Sequence, residues 1–360
     1  MKRIVQCWWV SLGLLVLAAC LGCQNRAPQD AGSVKPGGAS NSSTSTAETL
    51  HVAFVTNQIA NFWNIAAVGC KDAEKDFDIV CDVKFPEEAT ATRQKQIVED
   101  LLVSGIHGLA ISPIDAQNQT DMLNQWAKQV TLITHDSDAP ESERLVYIGM
   151  DNYTAGRMTG QLVKQALPEG GQVCLFVGRL EQDNSQKRRQ GVIDELLGRP
   201  IPAAGQISMD PVGGEIVGDE YTILDTILDQ GKSEVAKQKA EDAINKYPKM
   251  QAMVGLFEYN PPAIIQALRQ SGKLGQIKVV GFDENAETLQ GIKDGYVFGT
   301  VVQDPYLYGY RSVEVLSKLL RGDQSVIPES KYIDIPPRAV VRGNVDEFWA
   351  DLRAKSGSAN

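Results

Sequence analysis

Residues 50–76 read LHVAFVTNQIANFWNIAAVGCKDAEKD, a short apolar run followed by a longer run of mixed apolar and polar residues. The near-continuous apolar content of Leu50–Thr56 predicts a strand that is buried on both faces. The spacing of apolar residues over Phe62–Asp76 predicts an amphipathic helix. This stretch therefore predicts one β–α unit of a parallel sheet.

The same alternation continues to about residue 321. Further strands are predicted at Ile79–Lys84, Gly108–Ser112, Thr131–Thr134, Val146–Gly149, Val173–Val177, Met253–Phe257, Lys278–Phe282 and Phe298–Val302. Further helices are predicted at Ala91–Ser104, Ala116–Lys128, Thr154–Ala166, Gln186–Leu197, Val235–Lys246, Pro261–Ser271, Asn285–Asp294 and Leu307–Arg321. Roughly ten strands favour two sheets over one, so the predicted fold class is α/β with two doubly wound parallel-sheet lobes.

Composition excludes several classes of protein. The chain has 360 residues, 43% hydrophobic and 22% charged, which is typical of a globular protein. Its 35 basic and 45 acidic side chains give a net charge of −10 without a basic run, so nucleic acid is not an expected partner. The one long apolar run lies at the N-terminus, which excludes a protein with several membrane spans.

Residues 1–19 are predicted to be a lipoprotein signal peptide. Lys2 and Arg3 precede an apolar stretch from Ile4 to Ala19, which ends in Leu17-Ala18-Ala19 before Cys20. These four residues resemble the bacterial lipobox, whose cysteine becomes the lipidated first residue of the mature protein. An uncleaved membrane anchor is the alternative, but about 16 apolar residues are fewer than the roughly 20 that span a bilayer.

Residues 20–49 are predicted to form a flexible stalk, because residues 24–49 contain no aromatic side chain and are mostly small or polar. The folded body is expected at 50–345, and 346–360 is treated as a C-terminal tail. The protein is therefore expected outside the cytoplasm, tethered to a membrane through its N-terminal lipid.

Polar groups that can bind a polyol follow many of the predicted strands. Ligands of parallel α/β folds bind at these strand ends. A sugar presents hydroxyls that donate and accept hydrogen bonds, together with an apolar ring face. Carboxylates, amides and arginine bind such hydroxyls, and aromatic rings cover the C–H face. The loops that carry these groups include Asn61–Asn64, His135–Asp138, Glu181–Asn184, Glu258–Asn260, Phe282–Asn285 and Gln303–Asp304.

From about Thr49 to Arg342 the chain resembles the periplasmic sugar-binding proteins of ABC transporters, of the ribose-binding type. The motifs that carry the resemblance, in chain order, are His51–Val55, Asn61–Trp63, Gly108–Pro113, Ile133–Asp136, Ile148–Asn152 with Ala155-Gly156, Arg188–Gly191, Tyr259–Pro262, Val280–Asp283 and Thr300–Gln303. The resemblance implies a type I periplasmic binding protein fold, with three crossovers forming a hinge. The implied lobes comprise about 50–150 with 304–332, and 151–303 with 333–345.

The resemblance also implies the ligand-binding residues. These are the aromatic pair Phe62 and Trp63, the carboxylates Asp136 and Asp283, and the polar residues Arg188, Asn260 and Gln303. The ribose-type proteins carry an arginine directly after the first carboxylate, whereas Ser137 and Asp138 follow Asp136 here. This departure argues against ribose itself as the ligand, while a sugar is still expected.

Each of these residues also has a purely structural interpretation. Phe62 and Trp63 could belong to the core, and aspartates after strands often cap turns and helices. Asp151-Asn152 in particular is expected to cap the helix that begins near Thr154. Arg188 could form a surface ion pair worth about 0–1 kcal/mol.

No metal or other cofactor is expected. His51, His107 and His135 form no ligand cluster in the sequence. Cys70, Cys81 and Cys174 show no metal-binding spacing, and buried free thiols are favoured over a Cys70–Cys81 disulfide.

The sequence therefore predicts a monomeric, lipid-anchored receptor that captures a monosaccharide by hinge closure and delivers it to an ABC permease. One alternative is a sugar sensor that presents its ligand to a membrane receptor kinase. Another is a glycoside hydrolase, if Asp136 and Asp283 converge. A Lac-type repressor would need an N-terminal helix-turn-helix where this chain has a signal peptide and stalk.

Overall fold

A computed structural model describes residues 49–203 and 206–356. The predicted signal peptide, the predicted lipidation site Cys20 and nearly all of the predicted stalk lie outside the described residues. In the described part, no helix combines the length and the apolar character needed to cross a bilayer.

Two largely parallel sheets organise this part of the chain. The first sheet contains β1 (His51–Val55), β2 (Val80–Lys84), β3 (Gly108–Ile111), β4 (Thr131–His135), β5 (Tyr147–Gly149) and β12 (Tyr332–Asp334), in the spatial order β12-β5-β4-β3-β1-β2. The second sheet contains β6 (Gly171–Val177), β7 (Ile216–Val217), β8 (Tyr221–Leu228), β9 (Ala252–Gly255), β10 (Lys278–Phe282), β11 (Val297–Val302) and β13 (Arg338–Val341), in the order β13-β11-β10-β9-β6-β8-β7. Among the described strands, only the edge pairs β11–β13 and β7–β8 are antiparallel.

The helices connect and cover these strands. They are α1 (Asn61–Phe77), α2 (Ala91–Val103), α3 (Thr120–Ala127), α4 (Asn152–Ala166), α5 (Asp183–Leu196), α6 (Ser233–Lys246), α7 (Asn260–Gln270), α8 (Ala286–Asp294), α9 (Pro305–Leu320) and α10 (Val345–Ser356), with a 3-10 turn at Gln324–Val326. The predicted C-terminal tail thus includes most of α10. The chain passes between the sheets three times, after β5, after β11 and after β12. The doubly wound two-lobe prediction is confirmed, whereas the exact lobe limits stay predictions.

Both sheets are buried on both faces, as the continuous apolar runs predicted. In β1, Val52 and Phe54 join one core cluster, while Ala53 and Val55 join another on the opposite face. The strand β6 divides in the same way between the two clusters of the second lobe. Helices therefore cover each face, and polar groups can gather only at the strand ends.

The structure contains strands that the sequence patterns did not predict, namely β7, β8, β12 and β13. The longest is β8, whose sequence YTILDTIL places Asp225 and Thr226 inside the run. Asp225 stays near the surface, where it accepts hydrogen bonds from Tyr247 and Lys246. Because polar residues interrupt its apolar content, β8 lacks the signal of a strand buried on both faces.

The helix cap that was expected at Asp151 is confirmed. Asp151 is the N-cap of α4 and accepts hydrogen bonds from the backbone N–H groups of Tyr153 and Thr154, at 3.0 and 3.1 Å. Prolines occupy the first turn of α7. Cys70, Cys81 and Cys174 are buried free thiols.

Candidate ligand-binding site

Asp136 and Asp283 face one small cavity from opposite lobes. Asp136 follows β4 of the first sheet, and Asp283 follows β10 of the second. The cavity has a volume of about 20 Å³, which is room for about one water molecule. It is lined by Asn57, Gln58, Ala60, Phe62, Trp63, Asp136, Asn184, Arg188, Phe257, Glu258, Asp283 and Gln303.

The backbone aims both carboxylates into the cavity. Asp136 and Asp283 adopt the left-handed region, with φ of 58° and 65°, which aspartate tolerates better than most residues. Each strand ends at this turn, so that the side chain projects beyond the carboxyl edge of its sheet. Both side chains are almost fully buried.

The Asp136 carboxylate is surrounded by hydrogen-bond donors. Its Oδ2 accepts from the Ser112 hydroxyl at 3.0 Å and from the Asn57 amide at 3.3 Å, both in the first lobe. The Asn184 amide reaches the same oxygen from the second lobe at 3.4 Å. Burial raises the pKa of Asp136, while Arg188 and the hydrogen bonds from Ser112 and Asn57 oppose that shift.

Arg188 enters the cavity from α5 and is 1% exposed, so it is not part of a surface ion pair. Its Nη2 lies 3.8 Å from Asp136 Oδ1, and its Nε donates to Asn152 at 2.9 Å. The guanidinium carbon also lies 4.2 Å from the ring centroid of Phe282. Within the described residues Nη2 has no hydrogen-bond partner, so this donor can bind a ligand oxygen.

Gln303 holds Asp283 in place. Its Nε2 donates to Asp283 Oδ1 at 2.7 Å, and its Oε1 accepts from the Tyr308 hydroxyl at 2.9 Å. Burial raises the pKa of Asp283 to about 7, against the opposing effects of Arg188 and Gln303. A sugar hydroxyl can bind either form of this group, because a hydroxyl both donates and accepts.

The aromatic residues Phe62 and Trp63 are part of the core and also face the cavity. Phe62 and Trp63 belong to the core cluster of the first lobe, and both also line the cavity. Their ring centroids lie 4.8 Å apart with perpendicular planes. One wall of the cavity is therefore apolar and suited to the C–H face of a ring.

Asn260 is the one predicted site residue that does not line the cavity. Its Oδ1 accepts from the Phe257 backbone N–H at 3.0 Å, and its Nδ2 donates to Asp229 at 2.8 Å. These contacts hold the loop that carries Phe257 and Glu258. A direct contact between Asn260 and a ligand stays a prediction.

Five polar residues of the site were not among the predicted ligand-binding residues. Asn57, Gln58, Asn184 and Glu258 line the cavity, and Ser112 binds Asp136. Asn57 and Ser112 directly follow or flank the ends of β1 and β3, so the strand-end rule could have found them. Asn152, which was expected to cap α4, instead orients Arg188.

The lobes are in contact around the cavity. Besides the contacts of Asn184 and Arg188 with Asp136, the Ala116 backbone N–H donates to the Glu181 carbonyl oxygen at 3.3 Å. In the described part, no group of three or more His, Cys, Asp or Glu residues is arranged to hold a metal ion. The site therefore offers hydrogen-bonding groups and an apolar wall around an enclosed space.

Comparison with known proteins gives the same class of fold. The profile of a family described as "Periplasmic binding protein domain" matches residues 52–324. The D-ribose/D-allose-binding protein of Pseudomonas aeruginosa is 24% identical over 309 residues, which cover 82% of this chain and 90% of that protein.

Two solved structures share the fold. An ABC transporter solute-binding protein from Burkholderia graminis, in complex with D-arabinose, matches with a TM-score of 0.72 and 24% identity, covering 82% of this chain and 96% of that one. A XylFII-LytSN complex matches with a TM-score of 0.71 and 18% identity, covering 82% and 98% of the respective chains.

Proposed function

The chain belongs to the periplasmic binding protein family, and we propose that it is a monomeric, lipid-anchored receptor that captures a pentose or hexose and delivers it to an ABC permease. Family membership implies a location outside the cytoplasm. The family and the relatives above are binding proteins and not enzymes, so the glycoside hydrolase alternative is set aside.

One observation carries the sugar-binding proposal. Asp136, Asp283 and Arg188 meet at one enclosed cavity, and the Arg188 Nη2 donor has no protein partner within the described residues. Carboxylates and a guanidinium around an apolar wall can bind several hydroxyls at once. The names of the relatives, which refer to ribose, allose and arabinose, support the same class of ligand.

Capture is proposed to proceed by closure of the lobes. A cavity of about 20 Å³ is far smaller than the roughly 300–1,000 Å³ of typical ligand sites, so a sugar can enter only when the lobes separate. Ligand contacts with both lobes then favour the closed form over the open one. Asn184 and Arg188 of the second lobe contact Asp136 of the first lobe. A bound sugar would form hydrogen bonds with the same three side chains.

The membrane anchor is proposed from Cys20 alone. Substituting Cys20→Ser should move the protein from the membrane fraction to the soluble fraction, because the thiol that accepts the lipid is gone. Retention of the variant in the membrane fraction would argue against lipidation at this residue. The substitution Cys23→Ser is the matched control and should leave the membrane fraction unchanged.

Sensing is the second candidate, favoured by one observation. A protein of this fold occurs in the XylFII-LytSN complex, so a protein of this fold can engage a second protein. Deletion of the gene separates the two roles. Loss of labelled-sugar uptake indicates delivery to a permease, whereas retained uptake with a lost transcriptional response to the sugar indicates sensing.

A further inference from the structure

A second cavity adjoins the ligand-binding site. It has a volume of about 570 Å³ and lies between α1 of the first lobe, the start of α8 in the second lobe, and α10. Its lining includes Asn64, Glu258, Glu284, Asn285 and Trp349. Glu258 lines this cavity and the small one between Asp136 and Asp283, so the two spaces are neighbours.

Glu284 is an unusual member of this lining. It is 4% exposed, and neither of its carboxylate oxygens has a hydrogen-bond partner within the described residues. Burial, and then the neighbouring Asp283, raise the pKa of Glu284 well above its ordinary value. A buried polar group without a partner is costly, and a ligand hydroxyl can satisfy the carboxyl in either protonation state.

The remaining lining has the composition of a sugar site. Amides of Asn64 and Asn285 supply donors and acceptors, and the ring of Trp349 with Leu352 supplies an apolar surface. Arg353 lines the cavity together with Glu258 and Glu284, so the lining carries both signs of charge and does not select a charged ligand. The volume falls within the range of about 300–1,000 Å³ that ligand cavities occupy.

We infer that the protein binds a sugar that is extended by a glycosidic linkage, with one ring between Asp136 and Asp283 and a second, uncharged ring in the cavity beside Glu284. This inference rests on the proposed function, because the first ring occupies the site described above. A free monosaccharide would leave Glu284 without a hydrogen-bond partner.

The test compares monosaccharides with matching disaccharides by calorimetry on the full chain. The pairs are glucose with maltose, galactose with melibiose, and xylose with xylobiose. For at least one pair the disaccharide should bind about tenfold more tightly than the monosaccharide, since one or two added hydrogen bonds supply such a ratio. Asn64→Trp fills the cavity from an exposed position of α1 and should reduce this ratio to about one.

Two further variants serve as a control for Asn64→Trp and as a test of the Glu284 carboxyl. Lys75→Trp changes an exposed residue of the same helix outside the cavity, so it should keep the tenfold advantage. Glu284→Leu removes oxygens that have no hydrogen-bond partner in the described part, so it should fold normally and lose the advantage.

Some results would overturn the inference. If monosaccharides bind and no disaccharide binds more tightly, the protein has no site for a second ring, while the proposed function stands. If both Asn64→Trp and Glu284→Leu still bind the disaccharide about tenfold more tightly than the monosaccharide, the second ring does not bind in this cavity. If no sugar of either size binds, the proposed function and the inference both fail.

Discussion

Asp136 and Asp283 occupy equivalent positions in the two lobes. In each case the backbone N–H donates to the neighbouring strand, to Ile148 at 3.0 Å for Asp136 and to Val301 at 2.7 Å for Asp283. Each backbone carbonyl accepts from a hydroxyl at 2.8 Å, that of Tyr147 for Asp136 and that of Thr300 for Asp283. Each lobe therefore presents one carboxylate in the same backbone setting.

Arg188 links this pair electrostatically. Its charge lowers the pKa of both carboxyl groups, although burial raises each pKa more strongly. Neither lobe alone provides the full set of groups, because Asp136 belongs to the first lobe and Arg188 and Asp283 to the second. The proposed capture by closure follows from this division, because a sugar that contacts all three groups would need both lobes.

The first prediction concerns the charge of Asp283. Asp283→Asn retains a side chain that tolerates the left-handed backbone and removes the carboxylate. At about pH 8, above the Asp283 pKa of about 7, we expect sugar binding to weaken by about 2–5 kcal/mol, because buried ligand hydroxyls lose a charged partner. Isothermal titration calorimetry with the sugar that binds the wild type measures this change.

Asp121→Asn is the matched control, since Asp121 is an exposed residue in the first turn of α3. Its affinity for the sugar should equal that of the wild type. Equal affinity of the Asp283→Asn variant would remove Asp283 from the binding site.

The second prediction concerns stability and pH in the absence of sugar. The pKa of Asp283 is raised to about 7 from an ordinary 3.8, so the folded protein keeps a proton that the unfolded chain releases. The stabilising contribution of this group is therefore complete below about pH 3.8 and is lost as the pH rises through about 7.

The comparison with Asp283→Asn isolates this group. The free energy of unfolding of the wild type, minus that of the variant, should fall between about pH 4 and pH 7. Urea denaturation at several pH values measures both terms. A difference that stays constant or rises over this range would show that Asp283 is not buried in the way described.

The third prediction uses Trp63, which is 2% exposed and lines the cavity. Trp63→Phe keeps an aromatic ring beside Phe62 and Phe54 and should remove most of the change in tryptophan fluorescence that a monosaccharide causes. Trp126→Phe is the control, because Trp126 lies in a core cluster away from the cavity. If the signal survives in Trp63→Phe and disappears in Trp126→Phe, the assignment of Trp63 is wrong.

The fourth prediction concerns the contact between α4 and α5. A Cβ atom on Gly191 would lie 2.2 Å from the Tyr153 carbonyl oxygen, so Gly191→Ala must push these helices apart. We expect a loss of about 1–3 kcal/mol in the free energy of unfolding, and weaker sugar binding because α5 also carries Arg188. Chemical denaturation and calorimetry measure the two effects.

Gly213→Ala is the control for this variant, because a Cβ atom there would have no neighbour within 4 Å. Its stability and affinity should match those of the wild type. Unchanged stability of Gly191→Ala would show that the helices can separate without cost.

The alternation of apolar and amphipathic runs was enough to predict the two-lobe fold. Strands such as β1, with Val52 and Phe54 on one face and Ala53 and Val55 on the other, carry the full signal of a buried parallel strand. The edge strands β12 and β13 have only three and four residues and are mostly half-exposed, so neither provides a long apolar run. Their positions depend on pairing with distant strands, which no local pattern reveals.

The site was predictable where a residue directly ends a strand. Asp136 and Asp283 follow their strands at the carboxyl edge, and the structure brings both to one cavity. Asn260 does not directly end a strand, since β9 ends at Gly255 and Asn260 begins α7, and its amide is used by Phe257 and Asp229. The choice between a ligand contact and a support role depends on side-chain packing, which the sequence alone does not specify.

A thermal-shift screen of the full chain against pentoses, hexoses, disaccharides, polyols and amino acids would show whether the protein binds a sugar. A ligand present at 100 times its dissociation constant stabilises the folded state by about 2.7 kcal/mol, which raises the melting temperature by a few degrees. We predict such a shift for a small number of sugars and none for amino acids. If no sugar changes the melting temperature, or if only amino acids raise it, the protein is not a sugar receptor.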